Sequence, residues 1–161
     1  MQLFLTSQYT IQDITITISD PRVVHQLTRV LRAKSGQTIM IQSTHDTIMT
    51  RYECVLTIID SKQIRATITN TYVFEAQKHS KHLIIAMANR RDKIELIVQK
   101  ATECGVSHIS IIAMQRSVIR QTNSNKRARL ESIMLESVEQ SRRTHSPVLN
   151  RYDHWSDLTL S

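Results

Sequence analysis

The stretch from residue 92 to residue 114, DKIELIVQKATECGVSHISIIAM, predicts a helix followed by a buried strand. Asp92 followed three residues later by Glu95 is typical of a capping box, and Gly105 suits a left-handed C-terminal cap. Between them the apolar residues recur at spacings of three and four, which gives the helix one apolar stripe: Ile94, Ile97, Val98, Ala101 and Cys104. The β-branched run after Gly105 then favours a strand.

Two continuously apolar segments flank this helix, HLIIAMA (82–88) and SHISIIAM (107–114). Such runs are typical of strands that are covered on both faces of a parallel sheet. The order of strand, helix and strand predicts a β-α-β unit with a right-handed crossover. A second helix is predicted from Asn125 to Arg142, and its inward residues are expected to be Leu130, Ile133, Met134 and Val138. The segment SPVLN (146–150) is predicted to begin a further strand.

Residues 1–74 have a different pattern, in which apolar and polar residues alternate in short bursts. This period of two predicts half-buried strands, and several at short spacing favour a small barrel. The bursts are ITITIS (14–19), QTIMIQS (37–43), YECVLTIID (52–60) and IRATITNTYVF (64–74). The polar segment 75–81 lacks this alternation and is predicted to be a linker between two domains. The sequence therefore predicts an α/β protein with two domains, a β-barrel over 1–74 and a parallel-sheet domain over 75–161.

A short helix is predicted to interrupt the barrel strands, in DPRVVHQLTRVLR (20–32). Asp20 is its expected N-cap and Pro21 its first residue. One face is apolar and would point inward: Val23, Val24, Leu27, Val30 and Leu31. Arg22, Arg29 and Arg32 would then point away from the core.

Composition limits the classes of function. Lys and Arg outnumber Asp and Glu by 21 to 14, so a polyanion such as nucleic acid is a plausible partner. Cys54 and Cys104 are far apart, which argues against a disulfide framework or a Cys-based zinc site; we expect both in the core, in a reducing cytoplasm. No apolar run is long enough to span a membrane, and the start of the chain lacks an export signal.

Metal and nucleotide motifs are also missing. His79 and His82 are close together, but no carboxylate or Cys stands at ligand spacing, so we expect no metal. The two glycines, Gly36 and Gly105, cannot form a Walker loop or a dinucleotide fingerprint. No serine, histidine and acid triad can be assembled from the sequence alone.

Cations follow both predicted strands of the second domain. Arg90, Arg91 and Lys93 follow the first strand, and Arg116 and Arg120 follow the second. The carboxyl ends of parallel strands meet at the edge of the sheet where ligands bind. Guanidinium groups suit phosphate, so we expect this edge to face an anion.

Four segments in the same order resemble the RsmE family of 16S ribosomal RNA uridine N3 methyltransferases. They are HQLTRVLRAKSGQ (25–37), RRDKIELIVQKATECGVSHI (90–109), QRS (115–117) and ESVEQSRRTHSPVL (136–149). The matching residues are Lys100, Glu103, Gly105, Val106, Arg116, Ser117, Glu139, Gln140, Ser141, Arg143 and Pro147. The chain departs from the family at Arg91, Cys104 and Ser110, where Gly, Leu and Pro are usual.

The resemblance implies a PUA-like RNA-binding barrel over 1–74 and, over 75–161, part of a SPOUT methyltransferase domain, whose trefoil knot binds S-adenosylmethionine. Family members act as homodimers. The RNA-facing residues that it implies are His25, Arg29, Arg32, Arg90, Lys93, Arg116 and Arg143. The catalytic residue stays unknown, because Glu103 and Glu139 lie on helices near Lys or Arg and suit structural ion pairs.

The sequence stops at Ser161, before the family's glycine-rich loop, so we expect the cofactor-binding residues beyond it and no activity in this chain alone. The leading interpretation is an S-adenosylmethionine-dependent methyltransferase that, when intact, acts on small-subunit ribosomal RNA. The alternatives are a noncatalytic rRNA-binding module and, third, an enzyme of unrelated chemistry on a shared fold.

Overall fold

A computed structural model describes residues 1–44, 49–75, 79–87, 90–114 and 124–158. The chain divides into two compact units, Met1–Ala76 (unit 1) and Gln77–Ser161 (unit 2). Each unit has its own apolar core.

Unit 1 is a six-stranded mixed sheet with the order β1-β4-β5-β6-β3-β2. Its strands are β1 (Gln2–Thr6), β2 (Tyr9–Gln12), β3 (Thr15–Ile18), β4 (Thr38–Ser43), β5 (Met49–Ile59) and β6 (Ile64–Phe74). β1 pairs with β4 in parallel, and the other pairs are antiparallel. The four strands predicted from alternation are confirmed, whereas β1 and β2 were not predicted as separate strands. Closure into a barrel stays a prediction.

The core of unit 1 gathers side chains from one face of the sheet and from the helix α1 (Pro21–His25). Phe4, Ile16 and Ile41 are fully buried on three different strands, and Val23 of α1 packs with them. The helix begins where the sequence predicts. Asp20 is the N-cap, its side chain accepts a hydrogen bond from the Arg22 backbone N–H, and Pro21 is the first residue.

The end of this helical segment differs from the prediction. A π-helical turn (Gln26–Val30) follows α1, and only Leu27 within it is buried. A turn closed by i→i+5 hydrogen bonds holds one residue more than an α-turn, so it changes the faces of the residues that follow. The prediction that Val30 and Leu31 point inward is therefore wrong: they are 64% and 43% exposed.

Unit 2 has a three-stranded parallel sheet of β7 (His82–Ala86), β8 (His108–Ile112) and β9 (Val148–Tyr152), in that order. The helix α2 (Arg91–Glu103) connects β7 to β8, and α3 (Ser124–Ser141) connects β8 to β9; a 3-10 turn, Trp155–Asp157, follows. His82 pairs with His108 and His108 with Val148, so the three strands begin at one edge. The predicted parallel β-α-β arrangement is confirmed.

The two helices of unit 2 pack on one face of the sheet. Of the stripe predicted for α2, Ile94, Val98 and Ala101 are buried, but the prediction is wrong for Ile97, which is 38% exposed. Val98 of α2 and Ile109 of β8 are fully buried there, together with inward residues of α3. The four inward residues predicted for α3 are buried, as expected. The central strand β8 is largely buried, but β7 is only half-buried, so the expectation of full cover is wrong for β7.

The N-terminal end of α2 differs from expectation, whereas the predicted left-handed cap at its C-terminal end is confirmed by Gly105, which has φ +74°. The N-cap is Arg90, without a side-chain capping hydrogen bond, and Asp92 lies inside the first turn. Asp92 still suits that turn, because negative charge is favourable near a helix N-terminus. Cys104 is exposed, whereas Cys54 is buried as expected, and that burial raises the pKa of the Cys54 thiol to about 12.

Candidate nucleic-acid interface

Unit 1 presents a cluster of cations at the end of its helical segment. His25, Arg29, Arg32 and Lys34 are on the surface of this segment, and we name residues 25–34 the basic turn. Residues 21–37 contain no Asp or Glu. Among the ion pairs that the described residues form, none involves Arg29 or Arg32. The basic turn is therefore a local concentration of uncompensated positive charge.

Backbone hydrogen bonds fix the shape of the basic turn. The Leu31 N–H donates to the Gln26 carbonyl at 2.9 Å, and the Ala33 N–H donates to the Leu27 carbonyl at 2.8 Å. Arg32 between them takes a left-handed backbone conformation, φ +47°. Such a conformation is costly for a residue other than Gly or Asn, and it often marks a functional segment. The three predicted RNA-facing residues of unit 1 thus lie in one short, held segment.

The carboxyl edge of the unit 2 sheet carries Arg90 and Lys93, as the sequence predicts. The Met87 N–H donates to the Ile112 carbonyl at 2.8 Å, which extends the pairing of the two strands toward this edge. Arg90 and Lys93 are both exposed. Arg90 forms an ion pair with Asp92 at 3.0 Å, whereas Lys93 takes part in no ion pair among the described residues.

Arg91 is less available to bind an anion than its place after the first strand of unit 2 suggests. Its Nε donates to Glu95 at 2.7 Å, and Arg129 of α3 lies 3.5 Å from the other oxygen of that carboxylate. Glu95 therefore links the two helices. A groove of about 310 Å³ between α2 and α3 includes Glu95, Glu136 and Arg129 in its lining. Acidic and basic groups face each other there, so this groove is not suited to a polyanion.

Arg143 lies at the opposite edge of the sheet. Its Nε donates to the carbonyl of Glu103, the last residue of α2, at 2.8 Å. Because a helix ends at the amino edge of a parallel sheet, this contact places Arg143 away from Arg90 and Lys93. The guanidinium also lies 3.0 Å from the position that a Cβ would take at Gly105. Arg143 closes the C-terminus of α2, where a cation complements the helix dipole.

Two predicted cations lie outside the described residues. Arg116 and Arg120 fall in the segment 115–123, beyond the end of β8. The expectation that they share the carboxyl edge with Arg90 stays a prediction.

A polar cluster at the amino edge was not predicted. His82 Nε2 lies 2.7 Å from the Oγ of the fully buried Ser110, and His108 Nδ1 lies 3.2 Å from Ser80 Oγ. The two imidazole rings are 5.5 Å apart. Hydrogen bonding to His82 satisfies a serine hydroxyl that would otherwise be costly to bury. Alternation along SHISIIAM places His108 and Ser110 on one face of β8, whereas Ser80 lies outside both apolar segments.

No general base emerges from the described carboxylates of α2. Glu103 forms an ion pair with Lys100 at 2.9 Å, and this hydrogen bond lowers the pKa of Glu103. A carboxylate with a lowered pKa is a weaker base, and this one lies at the amino edge with Arg143. Within the described ranges, no three His, Cys, Asp or Glu side chains are placed to hold a metal ion together.

None of the described helices is both long and apolar enough to cross a bilayer.

Comparison with known proteins gives a consistent family. Residues 75–159 match a family model described as an RNA methyltransferase domain. The chain is 30% identical over 149 residues to ribosomal RNA small subunit methyltransferase E 2 of Borreliella burgdorferi, covering 91% of this chain and 60% of that protein. The chain thus spans about 60% of the length of this curated relative.

Solved structures show the same fold. The ribosomal RNA small subunit methyltransferase E from Neisseria gonorrhoeae, bound to S-adenosyl methionine, has a TM-score of 0.73 and 23% identity, over 94% of this chain and 61% of that chain. A predicted RNA methyltransferase from Thermotoga maritima has a TM-score of 0.71 and 21% identity, over 100% of this chain and 69% of that chain. The matched domain and these likenesses agree with the four motif segments, and the chain belongs to the RsmE family of RNA methyltransferases.

Proposed function

We propose that the protein acts in S-adenosylmethionine-dependent methylation of uridine N3 in 16S ribosomal RNA. Family membership supports this reaction, and the relatives from Borreliella burgdorferi and Neisseria gonorrhoeae carry names that specify methylation of small-subunit rRNA. The observation that carries the proposal for this chain is the basic turn, an acid-free cation cluster on the surface of unit 1. Such a cluster suits a phosphate backbone.

The RNA contacts of the proposal fall into two groups. In unit 1, His25, Arg29 and Arg32 bind phosphate, and the left-handed backbone at Arg32 holds that residue in a fixed turn. In unit 2, Arg90 and Lys93 bind phosphate at the carboxyl edge. The ion pair of Arg90 with Asp92 is exposed, so it is weak and a phosphate can replace it.

Arg116 and Arg143 complete the proposed RNA-binding set. Arg116 follows β8 in sequence and would join the carboxyl edge. Arg143 lies at the amino edge and already donates to the Glu103 carbonyl, so any contact with RNA there would be separate from the others.

The methyl donor is S-adenosylmethionine, which supplies an electrophilic methyl group when bound. The described residues do not by themselves fit a site for it. Gly105 lies at the amino edge and Gly36 in unit 1, so the described part of the carboxyl edge has no glycine-lined cradle, and the groove between α2 and α3 is lined by charged side chains. No step of methyl transfer is therefore assigned to these residues, and the base that takes the N3 proton stays unknown.

The resemblance to the family extends the proposal to architecture. Unit 1 would be a PUA-like barrel, and unit 2 would be the first part of a SPOUT domain whose knot holds the methyl donor. The intact protein would be a cytoplasmic homodimer. The free thiols of Cys54 and Cys104 are compatible with a reducing compartment.

A noncatalytic rRNA-binding module is the second candidate. It requires only the basic turn, which the described residues supply. The two candidates share the basic turn and differ in whether a methyl group is transferred.

Disrupting the gene that encodes this chain is expected to remove one N3-methyluridine from 16S rRNA, because the proposal assigns that modification to its product. Nucleoside mass spectrometry of purified small-subunit rRNA measures the decrease, and re-expression of the gene is the control that should restore it. An unchanged content of N3-methyluridine in 16S rRNA from the disrupted strain would contradict the proposed methyltransferase function and favour the noncatalytic rRNA-binding module.

A further inference from the structure

Two aliphatic side chains at the end of the basic turn are placed in solvent. Val30 is 64% exposed and Leu31 is 43% exposed, although an α-helical continuation would have put both on the buried face with Val23 and Leu27. The π-helical turn is the cause of this change of face. We name Val30 and Leu31 the apolar tip. An exposed aliphatic pair forgoes the free energy that burial would give, and a ligand that covers the pair would recover it.

The surroundings of the apolar tip indicate what that ligand is. Arg29 precedes the tip and Arg32 follows it, and both are exposed. The tip therefore lies between two cations in a segment without carboxylates. An apolar protein partner would not be matched to these charges, whereas RNA carries phosphates at each nucleotide and an apolar face on each base.

The pairing state of the RNA follows from the same geometry. In a duplex, both faces of a base are stacked on neighbouring base pairs and closed to an aliphatic side chain. Single-stranded loops and ends have splayed bases whose faces are open to side chains. An aliphatic side chain reaches a base step inside a duplex only by unstacking it, at a cost of about a few kcal/mol.

We propose that Val30 and Leu31 contact the face of an unpaired RNA base, while Arg29 and Arg32 bind the phosphates on either side of it. This inference rests on the proposed RNA-binding function and adds a preference for single-stranded RNA at the basic turn. The left-handed backbone at Arg32 sets the turn that brings the second cation beside the tip.

The test compares two RNAs and three variants by fluorescence anisotropy. The probes are a short uridine-containing single-stranded RNA and the duplex formed by the same strand with its complement. Val30→Thr and Leu31→Asn replace apolar surface by polar surface at similar volume and leave all charges in place. Val73→Thr is the matched control, because Val73 is 67% exposed in the same unit and lies on β6. Equal thermal unfolding of all variants confirms folding.

Val30→Thr and Leu31→Asn are each expected to weaken binding to the single strand about five-fold, and to leave binding to the duplex and the salt dependence unchanged. Val73→Thr should bind like the unmodified protein. Equal weakening on the two RNAs, unchanged binding to the single strand, or the same weakening with Val73→Thr would each overturn the inference. So would a change of oligomeric state in sedimentation without a change in RNA affinity, since the tip would then contact a second copy. If the unmodified protein binds neither RNA, the proposed function itself fails.

Discussion

Replacing Ile109 with alanine is expected to cost about 2–5 kcal/mol of the stability of unit 2. Ile109 is fully buried at the centre of β8, where it pairs with Leu83 of β7 and with Leu149 of β9. The side chain packs with the core that α2 and α3 cover. Removing it deletes apolar packing on three sides and leaves a cavity that paired strands cannot easily fill.

Hydrogen exchange measured by mass spectrometry reports this destabilisation, because it separates the amides of unit 2 from those of unit 1. Ile97→Ala on α2 is the matched control, since the same atoms are removed from a side chain that is 38% exposed; we expect a decrease of less than about 1 kcal/mol. Ile109→Val should fall between them, at about 0.5–1.5 kcal/mol. Equal decreases for Ile109→Ala and Ile97→Ala would show that the parallel sheet is not the core of unit 2.

Replacing Gly105 with alanine is expected to destabilise unit 2 by about 2–3 kcal/mol. Gly105 has φ +74°, a conformation that costs about 1–2 kcal/mol for a residue with a Cβ. The added Cβ would also meet the Arg143 guanidinium at 3.0 Å. Moving that guanidinium weakens its hydrogen bond to the Glu103 carbonyl and opens the C-terminus of α2.

Gly36→Ala is the control for the backbone contribution. Gly36 has φ +87°, but a Cβ there meets nothing within 4 Å, so we expect about 1–2 kcal/mol. The free energies of unfolding follow from urea titration read by hydrogen exchange in each unit. In the Arg143→Ala background, Gly105→Ala should destabilise less than it does alone, because the overlap is gone. If Gly105→Ala destabilises unit 2 equally in both backgrounds, the Arg143 guanidinium moves away from the added Cβ without cost, and the proposed close contact contributes nothing.

Local rules predicted the parts of the fold that depend on near neighbours in sequence. Asp20 and Pro21 fix the start of α1, and the strand, helix and strand order from residue 82 to residue 114 fixes the parallel sheet of unit 2. These signals are strong because capping and apolar periodicity act within a few residues.

The errors arose where tertiary contacts decide the local structure. The π-helical turn cannot be read from apolar spacing, because Val30 and Leu31 match an α-helical face as well as Leu27 does. The parallel pairing of β1 with β4 joins Gln2 to Ile39, a pairing that no local pattern encodes. Cys104 lies on the apolar stripe by spacing, but it is the C-cap of α2 and is exposed.

The candidate site was only partly accessible from sequence. The cations that follow strands could be assigned to the carboxyl edge by topology, and the same rule could have placed Arg143 at the amino edge, since it follows a helix. The preference for RNA came from the resemblance to the family, because cation spacing alone fits many polyanions. The exposure of the apolar tip could not be predicted from the sequence, because it depends on the π-helical turn.

The salt dependence of RNA binding tests the central claim most directly, namely that the basic turn binds ribosomal RNA through its arginines. Anisotropy of a labelled single-stranded RNA would be measured against salt for the unmodified protein, for Arg29→Ala/Arg32→Ala and for the control Lys126→Ala/Arg127→Ala on α3. We predict a linear fall of log affinity with log salt. In the first variant only, the slope should be shallower by about 0.7 for each phosphate that the protein no longer neutralises. A flat line for the unmodified protein, or equal slopes for the two double variants, would contradict the account.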